Sequence, residues 1–455
     1  MKYRDYQVRT ITAQDAFMAD PDAMRGTVLA ATGAGKTECF IDLIDKTLTN
    51  IPEARILVVH PRIALSQNQQ KRFKNKFPVE FTSFHSGHQS IHTLEDRKNV
   101  NTTNPEELVE IQDASVGGHI TFSSYQSLDK IAHLEFDIII CDEAHYLVQE
   151  NLRKNLHLFK SKALFYTGTP VKVAARDESM DNVELFGDVI ADVPPSELIP
   201  KGYVVPPRLR TLNVVNQKQG NTYDYPVIIA HAFKDQLSLA NSKFNHKMLV
   251  AMPSTQAFDE IAQELTEIRN IVGNMNVDVY YVTGERVNKN GHPFNGDREQ
   301  MLEDFGANTN PSIIIHCDTL AEGIDVDGLG GVLIMRGLTM SKAIQTIGRG
   351  CRPAKADVKS NGEIRKNRIK SECIVTICRV DDEWVGNIKI DEWAQMFRDA
   401  GYGELWDYYE RESSDRGLPG EIQEQEDPLF DIIEDIRVTD GVERMFIELD
   451  RELRI

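Results

Sequence analysis

A glycine-rich segment near the start of the chain carries the residue types that hold the phosphates of a nucleotide. Ala30–Thr37 lies between a strand-like run and an amphipathic stretch, a pattern that predicts a strand, a loop and a helix in that order. Glycines let backbone amides curl around phosphate oxygens, and the helix start adds the positive end of its dipole. Lys36 can reach the β- and γ-phosphates, and Thr37 can ligate Mg²⁺. The backbone of the predicted cradle consists of Thr32, Gly33, Ala34 and Gly35.

Two adjacent acids after an apolar run supply the second half of such a site. Ile138–Cys141 is continuously apolar, as expected for a strand covered on both faces of a parallel sheet. Asp142 follows at the end of that strand, where it can hold Mg²⁺, and Glu143 can act as general base on the attacking water. A lone Asp-Glu pair is more often surface charge, but this position favours catalysis. The two segments together predict hydrolysis of a nucleoside triphosphate.

Short apolar runs alternate with longer amphipathic stretches, which is the pattern of βαβ units. The sequence therefore predicts an α/β fold with two doubly wound parallel sheets, one after the other. Strands are predicted in the first half at Thr27–Ala31, Arg55–His60, His119–Ser123, Phe136–Cys141 and Ala163–Thr167. In the second half they are predicted at Lys247–Met252, Val277–Val282, Ser312–His316, Gly331–Met335 and Glu372–Cys378.

A proline-rich passage from Val193 to Pro207 separates the two halves, since prolines interrupt both helices and sheet pairing. The predicted organisation is a first domain at 1–192, a linker at 193–210, a second domain at 211–380 and an acidic, helical C-terminal extension at 381–455. The polar stretch from Ser86 to Gly118 shows no clear periodicity and is predicted to decorate the first domain.

The net charge of −19 neither supports nor excludes a nucleic-acid partner. Residues 401–455 hold six arginines, no lysine and seventeen acids, so −11 of that charge lies in the last 55 residues. The rest of the chain could still carry a basic cleft. No apolar run approaches the ~20 residues that span a bilayer, and the polar N-terminus does not look like a signal peptide. A cytoplasmic protein without a membrane partner is expected.

Neither of the two candidate metal clusters is favoured. Cys373 and Cys378 lie on a β-rich segment at an odd separation, which sends their side chains to opposite faces of a strand. Buried free thiols are the better interpretation of the six cysteines. His85, His88 and His92 lie in a polar stretch with no cysteine nearby, so a solvated loop is expected.

Further segments give the chain a clear resemblance to a superfamily 2 helicase of the DEAH type. That family's phosphate loop begins with alanine, as Ala30–Thr37 does. Arg4 and Gln7 lie in a segment similar to the family's adenine-reading motif, with Gln7 as the base contact. The first-lobe motifs that hold the nucleic-acid backbone are matched by Val59–Arg62 and Thr121–Gln126, which implies contacts by Arg62 and Ser124.

The resemblance also covers the coupling motif and the second lobe. His145, Thr167 and Thr169 match residues that link hydrolysis to strand movement, although Gly168 stands where alanine or serine is usual. In the second lobe, Thr255 and Thr319 match backbone contacts, and Gly323 and Asp325 match nucleotide contacts. Gln345, Arg349 and Arg352 match the arginine-finger motif. The matches extend over roughly residues 3 to 380.

The family resemblance implies two RecA-like domains that close on ATP and Mg²⁺ and step along a strand as they open. Within the family, the chain looks most similar to phage UvsW-type and RecG-like helicases, which implies unwinding or branch migration of forked DNA, displacement loops or junctions. It also implies possible protein partners in replication, recombination or repair. Three alternatives remain: an RNA helicase, the motor subunit of a restriction or repair assembly, and an ATP-gated nucleic-acid clamp that binds without travelling.

Overall fold

The computed structural model describes residues 3–86, 99–171, 179–214, 224–238, 246–255, 258, 261, 264–273, 275–283, 286–317, 326–360, 363–366, 370–380, 383–384, 397, 402, 409–413 and 422–424. The chain divides into two compact units, Met1–Pro194 and Pro195–Ile455, referred to below as the first and second units. Each unit contains its own parallel sheet.

Among the described residues of the first unit, eight strands form one sheet in which all pairs are parallel. Its strands are β1 Arg25–Ala30, β2 Arg55–His60, β3 Glu80–Phe84, β4 Asn99–Thr102, β5 His119–Ser124, β6 Ile138–Asp142, β7 Ala163–Thr167 and β8 Asp188–Val193. Their order across the sheet is β4-β3-β5-β2-β6-β7-β1-β8. The strand before the phosphate loop is thus separated by one strand from the strand that ends in Asp142.

Helices cover both faces of this sheet. They are α1 Asp5–Ala19, α2 Lys36–Asn50, α3 Ile63–Lys74, α4 Pro105–Ala114, α5 Glu150–Arg153 and α6 Val183–Phe186, with 3₁₀ turns at Tyr125–Lys130, Ala144–Val148 and Lys154–Leu158. On one face Phe40 and Phe73 pack against Ile138 and Ile140. On the other face, Ile139 and its neighbours pack against the 3₁₀ turns and α4. Alternate residues of the same strand therefore enter two separate cores, as a doubly wound sheet requires.

The stretch that was expected to decorate the first unit differs from that expectation where it is described. Asn99–Thr102 extends the sheet as β4, and Pro105–Ala114 forms α4. The helix starts where the side chain of Asn104 accepts a hydrogen bond from the backbone of Glu106 and Pro105 takes the first helical position. These start signals are visible in the sequence, but the short strand has no apolar alternation to mark it.

The second unit is built on a larger sheet that is parallel at its centre. Its strands are β9 Pro207–Val214, β10 Lys247–Ala251, β11 Asp278–Val282, β12 Val287–Lys289, β13 His292–Pro293, β14 Ser312–His316, β15 Gly331–Ile334, β16 Cys373–Val380, β17 Glu383–Trp384, β18 Tyr409–Ser413 and β19 Ile422–Glu424. The order is β13-β12-β11-β14-β10-β15-β16-β9-β18-β19, and β17 pairs with β16. Strands β11, β14, β10, β15, β16, β9 and β18 run parallel to one another.

The described helices of the second unit are α7 Pro195–Leu198, α8 Tyr225–Ser238, α9 Leu265–Ile271, α10 Arg298–Ala307 and α11 Met340–Gly350. Helix α8 is apolar and buried, and Phe233 packs with Val250, Ile315 and Leu333 in the core of this unit. Helix α10 begins with a reciprocal cap between Asp297 and Gln300. The α/β fold with two parallel sheets that the sequence predicted is therefore confirmed.

Two features of the second unit were not expected from the sequence. Strand β9 begins at Pro207, inside the stretch predicted to be a linker, and pairs in parallel with β16. Parts of the predicted helical extension form strands instead: β18 pairs with the open edge of β9, and β19 pairs with β18, whereas Phe397 is helical. Unpaired backbone groups at a sheet edge favour addition of a strand.

The six cysteines are free thiols, and all except Cys317 are buried. Cys378 lies in the core cluster around α8, whereas Cys373 is absent from that cluster, as expected for opposite faces of β16. The described residues contain no group of three or more metal-ligating side chains, and His88 and His92 lie outside them. None of the described helices has the length and hydropathy needed to cross a bilayer.

Candidate active site

The predicted catalytic residues of the first unit lie at the carboxyl ends of three neighbouring parallel strands. Strands β6, β7 and β1 end at Asp142, Thr167 and Ala30. Asp142 is opposite Tyr166 in the sheet register, and Leu29 is opposite Thr167. One edge of the sheet therefore presents the phosphate loop, the adjacent acids and the coupling motif side by side, which is where open α/β sheets bind ligands.

Two glycines shape the phosphate loop. Gly33 and Gly35 have φ values of 88° and 84°, a left-handed conformation that is unfavourable for other residues. Gly35 precedes the first residue of α2, and Ala34 N donates to Ala31 O across the loop at 3.0 Å. A side chain at Gly35 would also lie 2.6 Å from Gln7 Nε2. The loop therefore needs glycine for its conformation and for its close approach to α1.

Lys36 and Thr37 occupy the first turn of α2. The Nζ atom of Lys36 lies 3.5 Å from Glu143 Oε1 and 3.4 Å from Ala30 O. The lysine therefore spans the space between the loop and the acids. Because the first backbone N–H groups of a helix have no intrahelical partner, this helix start can also bind phosphate.

Asp142 is 5% exposed and held at both carboxylate oxygens. Its Oδ1 accepts a hydrogen bond from Glu143 N at 3.0 Å, and its Oδ2 accepts one from Gln69 Nε2 at 2.9 Å. Burial alone would raise the pKa of Asp142, but the adjacent His60, Lys36 and Gln69 hold it below its ordinary value. The carboxylate is therefore ionised and oriented, as a Mg²⁺ ligand must be.

Glu143 has a strained backbone at the position predicted for the general base. Its φ is 51°, which is uncommon for a residue with a side chain and is typical of residues held in place for function. This conformation lets Glu143 N reach Asp142 while the side chain points to Lys36 and His145. Glu143 Oε2 lies 3.6 Å from His145 Nδ1. The carboxylate is 19% exposed, so water can reach it.

The three residues predicted to couple hydrolysis to movement are in contact. His145 Nδ1 lies 3.0 Å from Thr167 Oγ1 and 3.2 Å from Thr169 Oγ1, and Thr169 N donates to Thr167 Oγ1. Burial, together with the Lys36 ammonium, lowers the pKa of His145 to about 3. The imidazole is therefore neutral near pH 7, so it hydrogen-bonds with the hydroxyls at the end of β7 and lies beside Glu143 without forming a charged pair with it.

The structure explains why position 168 is a glycine rather than an alanine or serine, which the sequence did not reveal. A side chain at this position would lie 2.8 Å from Ala30 O, 3.1 Å from Thr32 N and 3.3 Å from Ala31 C. All three atoms belong to the backbone of the phosphate loop. The departure from the usual alanine or serine therefore lets the coupling motif pack directly on the loop.

We expect Gly168→Ala to lower ATP affinity and to destabilise the first unit by about 1–3 kcal/mol, because the added methyl group must displace loop backbone. ATP affinity and urea unfolding would measure the two effects. Gly306→Ala in α10 is the matched control, since the nearest atom to its new methyl group is 3.7 Å away. Unchanged ATP affinity and stability in Gly168→Ala would contradict the packing argument.

The predicted adenine-reading segment also contacts the phosphate loop. Gln7 Oε1 accepts from Arg4 N, and Gln7 Nε2 donates weakly to Ala34 O at 3.4 Å. Tyr6 OH donates to the same carbonyl at 3.0 Å and receives a hydrogen bond from Arg4. Tyr6 was not singled out from the sequence. The structure thus places Arg4 and Gln7 beside the loop, and their contact with adenine remains a prediction.

Arg62 and Ser124, the predicted nucleic-acid contacts, lie along the same sheet edge. Ser124 ends β5 and is opposite His60, which ends β2 and directly precedes Pro61 and Arg62. Ser124 Oγ donates to Ser127 Oγ at 3.2 Å, and Arg62 is the residue before α3. Since β2 is adjacent to β6, Arg62 follows the strand next to the one that ends in Asp142.

In the second unit, Gln345 and Arg349 lie on α11 and are buried, and Arg352 follows the end of that helix. Thr255 is exposed in the segment after β10. Thr319, Gly323 and Asp325 lie outside the described residues. The roles of these residues as arginine fingers and as backbone or nucleotide contacts therefore remain predictions.

Two further residues hold Asp142 in place and were missed by sequence reasoning. Tyr125 OH donates to Asp142 O at 2.6 Å, and Gln69 reaches the carboxylate from α3. Tyr125 lies within the segment Thr121–Gln126 that was predicted to hold the nucleic-acid backbone, so its position offered a hint. Gln69 is one of several polar residues on an amphipathic helix, and no pattern distinguishes it.

The residues at this edge fit ATP and Mg²⁺. The left-handed glycines form a cradle before a helix start, Lys36 supplies a cation, and Thr37 and Asp142 supply the hydroxyl and carboxylate oxygens that Mg²⁺ prefers. Glu143 adds a second carboxylate that water can reach. The site is therefore chemically equipped for hydrolysis of a phosphoanhydride.

Family models agree with this site. Residues 1–172 match the model described as "Type III restriction enzyme, res subunit", and residues 230–354 match the "Helicase conserved C-terminal domain". The two models together identify the paired domains of a superfamily 2 helicase, so the chain contains an ATP-dependent helicase-type motor. No curated protein matches the sequence.

Solved structures of restriction enzymes share the fold at low identity. The ATP-dependent type ISP restriction-modification enzyme LlaBIII bound to DNA matches with a TM-score of 0.67 and 17% identity, over 91% of this chain and 32% of that one. A nuclease-deletion mutant of the type ISP enzyme LlaGI, in complex with a DNA substrate mimic, matches with a TM-score of 0.59 and 15% identity. The match covers 89% of this chain and 30% of that one. A fragment of a putative HsdR subunit of a type I restriction enzyme from Vibrio vulnificus YJ016 matches with a TM-score of 0.51 and 17% identity. The match covers 90% of this chain and 72% of that one. The chain spans about a third of the length of the two type ISP enzymes.

Proposed function

We propose that the chain is an ATP-driven translocase on DNA that acts as the motor of a restriction-type assembly. The observation that carries the proposal is one edge of the first unit's sheet. The candidate ATP-binding residues and the residues predicted to hold the nucleic-acid backbone lie there at the ends of neighbouring β-strands. The match of residues 1–172 to a restriction-enzyme subunit model supports the restriction assignment. Two of the three similar solved structures are described as bound to DNA or to a DNA substrate mimic, which favours DNA over RNA.

Hydrolysis would follow from the positions of the first-unit side chains. Lys36 and the amides of the loop would hold the phosphates, while Thr37 and Asp142 would hold Mg²⁺. The bound ion would neutralise phosphate charge in the transition state. Glu143 would accept a proton from the attacking water. In this proposal Arg349 and Arg352 of the second unit would stabilise the charge that develops on the γ-phosphate.

Movement would require that the state of the nucleotide changes how the strand is held. Nδ1 of the neutral His145 lies near Glu143 Oε2 and within hydrogen-bond distance of the hydroxyls of Thr167 and Thr169. Gly168 packs on the phosphate loop between those threonines. A change at the γ-phosphate can therefore be transmitted to the end of β7 through direct contacts.

The restriction-type proposal replaces branch migration as the favoured specific function. The phage UvsW-type and RecG-like assignment is not supported by the two family models or by the three solved structures named above; one of the models and all three structures are described as restriction enzymes. Branch migration and RNA unwinding predict different nucleic-acid preferences in the ATPase experiment that follows.

ATPase stimulation by matched nucleic acids tests the proposal. Linear duplex DNA should stimulate ATP hydrolysis at least as well as forked or four-way DNA of the same length, and RNA duplexes should stimulate it far less. A clear preference for forked and four-way DNA would favour branch migration instead, and a preference for RNA would favour an RNA helicase. Absence of stimulation by every nucleic acid would contradict the motor proposal.

A further inference from the structure

Helix α3 connects the predicted strand-holding residue Arg62 with the metal-binding carboxylate Asp142. Arg62 is the residue from which the helix starts, and Gln69 lies seven residues later, about two turns and ~10 Å along the axis. Residues seven apart face nearly the same side of a helix. Gln69 donates its amide hydrogen to Asp142 Oδ2 at 2.9 Å, and both residues are buried.

A second contact ties the same helix to the phosphate-loop helix. Arg72 of α3 forms an ion pair with Glu38, which lies in the first turn of α2. Helix α3 therefore contacts both the phosphate-loop helix and Asp142. Because the same helix starts at Arg62, a packed element of this kind can carry coupling between a ligand at Arg62 and the ATP site.

His60 adds a third contact from the strand that leads into α3. Its ring is completely buried and stacks on Phe122, with a centroid distance of 6.2 Å and an interplanar angle of 12°. His60 Nδ1 lies 3.6 Å from Asp142 Oδ2, the same oxygen that Gln69 contacts. A shift of the segment around Arg62 would therefore move two neighbours of one carboxylate oxygen.

We propose that Gln69 is a positioning residue through which nucleic acid held at Arg62 adjusts the Asp142 carboxylate and so controls Mg²⁺-ATP binding. This inference rests on the proposed function, since it assumes that nucleic acid contacts Arg62. When a backbone phosphate orders the start of α3, Gln69 and His60 hold Asp142 in the orientation that ligates Mg²⁺. A backbone phosphate at Arg62 would stabilise this arrangement of α3 and Asp142 and so would tighten the binding of Mg²⁺-ATP.

Gln70, the next residue on helix α3, has a side-chain amide with a different hydrogen-bond partner. Gln70 is as buried as Gln69, but its Nε2 donates to Ser83 Oγ at 3.1 Å, on strand β3. Gln70 has no hydrogen bond to Asp142. The two residues therefore form a matched pair, with similar burial and chemistry and different connections.

The test compares Gln69→Leu, Gln69→Glu and Gln70→Leu with wild type in the full chain. Binding of a fluorescent, non-hydrolysable ATP analogue would be titrated over Mg²⁺ concentration, with and without duplex DNA. Loss of a residue that orients a metal ligand typically costs about 10- to 100-fold in metal affinity or activity. Gln69→Leu should therefore need a Mg²⁺ concentration about 10-fold or more higher than wild type for half-maximal binding of the analogue. The factor by which DNA tightens analogue binding should fall towards one.

Gln69→Glu keeps the shape of the side chain but, when ionised, cannot donate a hydrogen bond to Asp142, so the factor by which DNA tightens analogue binding should fall as it does in Gln69→Leu. Gln70→Leu should keep the wild-type Mg²⁺ dependence and DNA factor even if its stability falls. Wild-type values for both quantities in Gln69→Leu would overturn the inference. If wild type itself shows no effect of DNA on nucleotide binding or hydrolysis, the proposed function fails instead, and the two failures are thus distinguishable.

Discussion

Replacing Glu143 with glutamine is expected to lower ATP turnover by about 10²- to 10⁴-fold, the usual contribution of a general base. ATP affinity should change little, since glutamine keeps the size of the side chain and Lys36 still faces the phosphate loop. Glu143 is the carboxylate at this edge that water reaches, whereas Asp142 is buried and hydrogen-bonded at both oxygens. Steady-state hydrolysis and equilibrium binding of ATP would be measured on the same preparation.

Glu150→Gln provides the control for this substitution, because Glu150 is exposed at the start of α5 and makes the same change of charge away from the site. It should hydrolyse ATP at the wild-type rate. Glu143→Gln also separates the motor from the alternative of an ATP-gated clamp, since a clamp that only binds ATP would function normally. Wild-type turnover in Glu143→Gln would show that another group activates the water.

Replacing Lys36 with methionine is expected to weaken ATP binding by roughly one and a half to three and a half orders of magnitude. Truncating one partner of a buried charge pair costs about 2–5 kcal/mol, and each ~1.4 kcal/mol is tenfold in affinity. The Lys36 side chain is 10% exposed and faces Glu143, so methionine leaves that carboxylate without the opposing ammonium. Lys36 also lowers the pKa of Asp142 and of His145, so both pKa values should rise in the variant.

Lys46→Met is the matched control on the same helix. Lys46 is 42% exposed and pairs with Asp15 and Asp42 at the surface. Exposed ion pairs of this kind contribute about 0–1 kcal/mol, so stability should fall slightly and ATP affinity should not change. Equal loss of ATP affinity in Lys36→Met and Lys46→Met would indicate general damage to α2 rather than loss of a phosphate contact.

Much of the fold was predictable because strong local patterns agree with the tertiary structure. Phe136–Cys141 and Ala163–Thr167 were recognisable as buried strands from their continuous apolar residues, and they occur as β6 and β7 within two residues. The alternation of strands with amphipathic stretches gave the parallel sheets. The carboxyl-edge grouping of Ala30, Asp142 and Thr167 follows from parallel strands, although the strand order itself could not be read from the sequence.

Other features depend on partners that are distant in sequence. Strand β4 at Asn99–Thr102 is polar, and its position follows only from pairing with β3. Strand β18 in the acidic extension is likewise defined by pairing with β9. Such edge strands have weak local signals, because packing and pairing rather than backbone preference stabilise them.

The connections between the site residues were also invisible in the sequence. Gly168 looked like a departure from the family pattern until the backbone of the phosphate loop was seen against it. Gln69 and Gln70 are adjacent and chemically identical, yet only Gln69 contacts Asp142. Which of the two faces the carboxylate is decided by the rotation of α3 on the sheet, and no local rule specifies that rotation.

The most direct test of a DNA motor is displacement of a third strand from a DNA triplex placed far along a linear duplex. Wild type with ATP and Mg²⁺ should displace the third strand after a lag that grows with the distance to be travelled. Glu143→Gln, and wild type with a non-hydrolysable ATP analogue, should bind the same duplex and leave the triplex intact. Displacement without hydrolysis, or no displacement by a wild-type chain whose ATPase DNA stimulates, would contradict ATP-driven translocation along DNA.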